Sequence, residues 1–128
     1  MAAPYDGKTI VVVDDDPDIL AAINAALGDS GAKLLTASAG NAGLRLIEQN
    51  KPDVVILDIM LPEKSGFLVL EKLRQGIPRN DKPHIIMITG NQGKRHQQYA
   101  ESLGIREYLH KPFSMEVMIE KVEKWLKA

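Results

Sequence analysis

Five short apolar runs divide the chain and predict five β-strands. They lie at residues 9–13, 33–37, 53–57, 84–89 and 105–109. In three of them the letters IVVV, VVIL and IIMI form continuous runs rich in β-branched residues, without alternating polar positions. Strands of a parallel sheet that helices cover on both faces have this pattern. The runs therefore predict a buried parallel sheet.

The segments between the apolar runs have helical spacing. The last segment is the clearest, with apolar residues three or four positions apart at Met115, Met118, Ile119, Val122 and Leu126. Local signals mark helix boundaries. Asp16, Ser65 and Ser114 are predicted helix caps, and Gly31 is predicted to end the first helix.

The alternation of strand and helix, repeated five times, predicts one doubly wound α/β domain with helices on both faces of the sheet. No linker rich in Pro, Gly or Ser divides the chain. Residues 75–83 are predicted to form a surface loop. Residues 91–103 are predicted to form a weakly anchored helix, because only Tyr99, Ala100 and Leu103 can bury an apolar face.

The amino-acid composition and net charge exclude several classes of function. The chain has 128 residues, no cysteine and a net charge of -1. Without thiols it has no disulfide, zinc–thiolate site, iron–sulfur cluster or cysteine nucleophile. The balanced charge predicts no direct nucleic-acid partner. Neither a signal peptide nor a run of about 18 apolar residues is present, so we expect a cytoplasmic protein without membrane contact.

Polar side chains follow the ends of several predicted strands. Asp14 and Asp15 come after the first, Asp58 after the third, Thr89 ends the fourth, and Lys111 follows the fifth. Ligands of open parallel sheets bind beyond the carboxyl ends of the strands. Clustered carboxylates repel one another unless a cation intervenes, and an all-oxygen ligand set favours Mg²⁺. The sequence therefore predicts a magnesium site at this edge.

Each residue taken alone also has an ordinary structural explanation. The acids after the first strand would serve as a solvated turn and helix cap, Thr89 as a strand residue, Lys111 as a surface lysine, and Tyr108 as a half-buried strand aromatic. Asp58 is harder to explain in this way, because a lone carboxylate after a buried strand is costly. Only their joint placement at successive strand ends favours a functional site.

Four motifs carry a resemblance to a known family. They are VVVDDD at 11–16, VVILDIMLPEKSG at 54–66, IIMITG at 85–90 and YLHKPF at 108–113. Together they resemble the receiver domain of two-component response regulators, and the chain is similar to the single-domain chemotaxis regulators. The resemblance implies a flavodoxin-like fold with five helices and the strand order 2-1-3-4-5. It also implies a phosphorylation-dependent signalling switch.

The resemblance assigns a role to each acid. Asp58 would receive a phosphoryl group from a histidine kinase or a histidine phosphotransfer protein. Asp14, Asp15 and Asp58 would bind Mg²⁺, together with the backbone carbonyl of Met60.

It also assigns roles to residues of the fourth and fifth strands. Thr89 and Lys111 would hold the phosphoryl oxygens, Thr89 and Tyr108 would switch conformation, and the bond before Pro112 would be cis. The face formed by the fourth helix, fifth strand and fifth helix would bind a downstream protein, which the sequence does not name.

Two other functions compete with this interpretation. A Mg²⁺-dependent aspartyl-phosphate phosphatase would need a second acid two residues after Asp58, where this chain has Met60. A nucleotide-binding domain would need a glycine-rich phosphate motif after the first strand, and none is present. We therefore expect residues 1–128 to be a receiver domain without an output domain. No enzymatic activity is expected beyond phosphorylation and dephosphorylation of Asp58 itself.

Overall fold

The computed structural model describes residues 4–75, 82–90 and 94–128. Its five strands form one parallel sheet in the order β2-β1-β3-β4-β5, as predicted. The strands are β1 Thr9–Val13, β2 Lys33–Ala37, β3 Val54–Asp58, β4 His84–Thr89 and β5 Glu107–His110. The helices are α1 Pro17–Leu27, α2 Gly40–Asn50, α3 Gly66–Arg74, α4 Lys94–Ser102 and α5 Met115–Leu126.

Helices cover both faces of the sheet. Alternate residues of each strand point to opposite faces. Val11 and Val13 therefore pack on the α2, α3 and α4 side, whereas Ile10 and Val12 pack on the α1 and α5 side. All four are wholly buried. Burial on both faces explains why the strand sequences are continuous apolar runs.

The register brings the carboxyl ends of the strands to one edge. Val13 at the end of β1 pairs with Ala37 and Leu57, and Asp58 at the end of β3 pairs with Ile88. Thr89 at the end of β4 pairs with His110 of β5. Side chains that follow these positions therefore meet above the sheet.

The predicted caps are confirmed for three helices. Asp16, Ser65 and Ser114 are the N-caps of α1, α3 and α5, and each side chain accepts a backbone N–H of the first turn. The prediction for Gly31 is wrong. Helix α1 ends at Leu27, and Gly31 instead adopts a φ of 91° in the turn before β2, a conformation that glycine tolerates.

Two strands, β3 and β5, differ from their predicted bounds. Strand β3 starts and ends one residue later, which includes Asp58. Strand β5 starts at Glu107 because the Ile105 N–H bonds the carbonyl of Ala100, so this apolar residue completes the α4–β5 turn. Within the predicted loop 75–83, residues 76–81 lie outside the described part, as do residues 91–93 of the predicted fourth helix.

Helix α4 is thinly attached to the domain, as predicted. Ala100 is its only buried residue. The ring of Phe67 on α3 adds contacts with His96 and Tyr99, both at 5.4 Å between ring centroids. None of the helices in the described ranges is long and apolar enough to cross a bilayer.

A polar network joins β4, β5 and α5 at the sheet end opposite the acidic residues. Arg106 Nε donates to His84 Nδ1 at 3.2 Å, and its guanidinium lies 4.9 Å from the ring centroid of Trp125. Trp125 Nε1 in turn donates to Glu107 at 2.8 Å. The network fixes the C-terminal end of α5 to the sheet.

Candidate functional site: an acidic pocket at the strand ends

Three carboxylates meet at the ends of β1 and β3. One oxygen each of Asp14, Asp15 and Asp58 lies within 4.8 Å of the other two. Asp14 is wholly buried and Asp58 is 2 % exposed, whereas Asp15 is exposed. The pocket therefore has a buried floor and an open rim.

The chain leaving β1 explains the different exposure of its three acids. Asp14 stays beside the sheet because its N–H donates to the Ala37 carbonyl at 3.1 Å. Its Oδ1 accepts the N–H of Asp16 at 2.9 Å, which turns the chain toward α1. Asp16 then caps the helix, so only Asp14 and Asp15 remain available to the pocket.

Lys111 supplies the positive charge of the pocket. Its Nζ lies 2.9 Å from Asp58 Oδ2 and 3.1 Å from Asp14 Oδ2. The Lys111 N–H donates to the Thr89 carbonyl at 2.7 Å, which ties the loop after β5 to the end of β4. The bond between Lys111 and Pro112 is cis, the form that the resemblance implies. The bond between Lys82 and Pro83 is also cis.

Burial dominates the electrostatics of Asp14. It raises the pKa of Asp14 to about 6. The hydrogen bond from the Asp16 N–H and the interactions with Lys111 oppose this rise, whereas the negative charge of Asp58 adds to it. Burial alone would lower the pKa of Lys111. Its hydrogen bonds and charge interactions with Asp58 and Asp14 outweigh that effect and raise this pKa. The pocket thus holds more negative charge than its one ammonium group compensates.

The donor set fits a hard divalent cation. Asp14 Oδ2 is buried and forms the 3.1 Å ion pair with Lys111, but it accepts no hydrogen bond from any described residue. The carboxylate oxygens of Asp15 and Asp58 lie nearby, and no nitrogen or sulfur ligand belongs to this group. Carboxylates with room for water suit Mg²⁺.

Of the remaining predicted residues, Met60 contacts Asp58 directly, whereas Thr89 and Tyr108 lie on β4 and β5. Met60 donates its N–H to Asp58 Oδ1 at 3.1 Å, while its side chain is 65 % exposed. Thr89 is wholly buried at the end of β4, one position beyond the partner of Asp58 in the sheet. Tyr108 is half-buried on β5, and its hydroxyl is buried without a hydrogen-bond partner among the described residues. Burial raises the pKa of Tyr108.

Comparison with known proteins agrees with this geometry. The family model for the response regulator receiver domain matches residues 10–123. The chain belongs to the response regulator receiver domain family. This receiver domain is 33 % identical over 113 residues to protein PilH of Pseudomonas aeruginosa, covering 88 % of this chain and 93 % of PilH.

Longer regulators also contain a similar domain. The receiver is 36 % identical over 107 residues to PhoP of Bacillus subtilis, an alkaline phosphatase synthesis transcriptional regulatory protein, covering 84 % of this chain. The chain spans about half the length of such regulators, 43 % of PhoP and 52 % of TcrX of Mycobacterium tuberculosis. The CheY-like receiver structure from Methanospirillum hungatei has a TM-score of 0.84 at 29 % identity, with 94 % of each chain covered.

The receiver's structure brings Asp14, Asp15, Asp58 and Lys111 into one pocket. Sequence reasoning did not identify how the loop after Asp58 is held. Gly66, the first residue of α3, has no room for a side chain, because a Cβ there would lie 2.2 Å from the Asp58 carbonyl oxygen. A glycine between a loop and a helix was a visible signal, but only coordinates show what it contacts.

Proposed function

We propose that Asp58 accepts a phosphoryl group from a histidine kinase or a histidine phosphotransfer protein, and that this receiver acts as a phosphorylation-dependent switch. The observation that carries the proposal is the setting of Asp58. Its carboxylate is buried at a strand end, 2.9 Å from the Lys111 ammonium and beside two further carboxylates. Burying a carboxylate beside other acids costs free energy, and a purely structural role for Asp58 gives no reason for this arrangement.

Transfer would exchange one bond at phosphorus for another. A carboxylate oxygen of Asp58 attacks the phosphorus of a phosphohistidine, the phosphorus–nitrogen bond breaks, and the electron pair leaves with the imidazole nitrogen. Lys111, already beside Asp58, pairs with a phosphoryl oxygen and reduces the repulsion between the two anions. Mg²⁺ held by Asp14, Asp15, Asp58 and the Met60 carbonyl would further neutralise the charge on the phosphoryl group.

The bound phosphoryl group would then shift the conformation. Its oxygens offer the Thr89 hydroxyl a new acceptor, and movement of Thr89 leaves space for Tyr108. The buried Tyr108 hydroxyl has no hydrogen bond among the described residues to hold it in place. Differential contacts of this kind bias an existing equilibrium toward one state. The α4, β5 and α5 face would change its affinity for a downstream protein.

The pocket favours a switch over a stand-alone phosphatase. The residue two positions after Asp58 is Met60, whose thioether cannot donate a proton to a leaving group. We further propose a cytoplasmic location, since the proposed partners are protein components of a two-component pathway.

Intact-mass measurement tests the acceptor directly. Wild-type protein incubated with acetyl phosphate and Mg²⁺ should gain the mass of one phosphoryl group, and Asp58→Asn should gain none. Asp18→Asn serves as the matched control, because Asp18 is exposed in the first turn of α1. Phosphorylation of the Asp58→Asn protein under the same conditions would refute the assignment.

A further inference from the structure

The loop between the acceptor and α3 contains a strained turn. Lys64 N–H donates to the Pro62 carbonyl at 2.8 Å, and Glu63 between them has a φ of 68°. A hydrogen bond between residues i and i+2 around a positive φ defines the strained form of the γ-turn, which is rare. Glu63 is exposed, so burial of its own side chain does not stabilise this conformation. Strain of this kind persists only where the surrounding structure imposes it.

The first turn of α2 packs against this γ-turn and holds it through Gly40. Gly40 N–H donates to the same Pro62 carbonyl at 3.1 Å. A Cβ built on Gly40 would lie 1.9 Å from the carbonyl oxygen of Lys64, so any side chain there would displace the turn. Gly40 does not adopt a positive φ, and the reason for glycine is therefore the close approach of the loop.

One residue, Leu61, separates the γ-turn from Met60, the residue whose backbone borders the pocket. Ile59 is fixed by two backbone hydrogen bonds, from its N–H to Ile88 at 3.1 Å and from Gly66 to its carbonyl at 2.8 Å. Met60 follows Ile59 and has an exposed side chain that does not anchor it in the core. The Met60 N–H donates to Asp58 Oδ1, and the next residue, Leu61, packs partly buried against the core. The Met60 backbone is therefore held by Asp58 and Ile59 on one side and by Leu61 and the turn that begins at Pro62 on the other.

We propose that the γ-turn at residues 62–64, seated on Gly40, positions the Met60 backbone and thereby sets the Mg²⁺ affinity of the pocket. Gly40 and Glu63 are positioning residues in this scheme, because neither touches the pocket itself. The inference rests on the proposed function, since it takes the Met60 carbonyl as a metal ligand.

Two substitutions at Glu63 separate turn geometry from charge. Both Glu63→Gly and Glu63→Val remove the carboxylate, but glycine accepts a positive φ whereas a β-branched residue resists it. Amide chemical shifts of ¹⁵N-labelled protein during a Mg²⁺ titration report binding without any phosphoryl transfer. We expect the affinity of Glu63→Gly to lie within twofold of wild type, and Glu63→Val to bind Mg²⁺ at least fivefold more weakly.

Gly40→Ala tests the contact between α2 and the γ-turn, because the added Cβ would displace the turn. We expect at least a fivefold loss of Mg²⁺ affinity. At saturating Mg²⁺ the variant should be phosphorylated by acetyl phosphate at the same rate as wild type. Ile47→Val is the stability control, since Ile47 is a buried residue of the same helix that contacts the core. This control should lower the melting temperature and leave the Mg²⁺ affinity unchanged.

The results distinguish this inference from the proposed function. Wild-type protein that binds no Mg²⁺ would overturn the proposed metal site, and the inference with it. Wild-type protein that binds Mg²⁺, with Glu63→Val and Glu63→Gly equal in affinity, would overturn the inference alone. The Glu63 pair decides the question even if Gly40→Ala does not fold, because Glu63 is exposed.

Discussion

Asp14→Asn is expected to stabilise the metal-free protein at neutral pH. The pKa of Asp14 is raised to about 6, chiefly because its carboxyl is buried and also because Asp58 is close. Ionised Asp14 is therefore less favourable in the folded chain than in the unfolded chain. Asparagine keeps the shape and an acceptor for the Asp16 N–H, but carries no charge.

The size of the effect follows from the shift in pKa. An unperturbed Asp has a pKa of 3.8, so a folded value of about 6 is a rise of about 2 units, or about 3 kcal/mol at full strength. The exposed rim at Asp15 lets solvent screen part of this penalty. We expect Asp14→Asn to raise the free energy of unfolding at pH 7 by about 1 to 3 kcal/mol.

The advantage of the variant should disappear in acid. Between pH 4 and 6 the folded wild type binds a proton at Asp14 that the unfolded chain lacks, so wild-type stability rises as pH falls through this window. Below pH 4 Asp14 is protonated in both states, and the two proteins should then have the same stability. Titratable groups that do not interact with Asp14 cancel in the difference.

Urea denaturation measures the difference at each pH. Unfolding would be followed by circular dichroism at pH 7, 6, 5 and 4 in the presence of EDTA. Asp18→Asn is the control, and its exposed position predicts a change within about 0.5 kcal/mol. A stability difference for Asp14→Asn that is equal at pH 4 and pH 7, or a less stable variant at pH 7, would refute the reasoning.

Two further predictions concern His84 at the start of β4 and the segment that contains α4 and β5. Burial lowers the pKa of His84, as do Arg106 and Lys82, so the folded protein should lose stability as pH falls below about 6.5. His84→Gln in the Asp14→Asn background should flatten that slope in urea denaturation, and an unchanged slope would contradict the assignment. Fluoroberyllate, as a phosphoryl analogue, should change hydrogen exchange in residues 94–109, whereas changes confined to α1 and α2 would contradict the proposed output face.

The fold was readable from the sequence because both faces of the sheet are buried. Runs such as residues 54–57 have no polar position to confuse the pattern, and β1, β2 and β4 have their predicted bounds. The other edge strand, β5, was placed less well than β2. There the apolar Ile105 serves the turn after α4, and an apolar letter does not say which of two neighbouring elements buries it.

The candidate site was only partly readable. The acidic triplet was visible, but the sequence does not show that Asp14 is buried, Asp15 is exposed and Asp16 caps α1. That division follows from the direction in which the chain leaves the sheet. The contact between Gly40 and the loop near Lys64 joins residues far apart in sequence, and no local pattern predicts it.

The thin attachment of α4 has a consequence for how such a switch can diverge. Eight of its nine residues are not buried, so most of its side chains can change without opening a cavity in the core. The pocket has no such freedom, because its acids, its lysine and its close-packed glycines depend on one another. If the proposed output face is correct, a lineage can therefore acquire a new binding partner by substitutions on α4 while the pocket around Asp58 is unchanged.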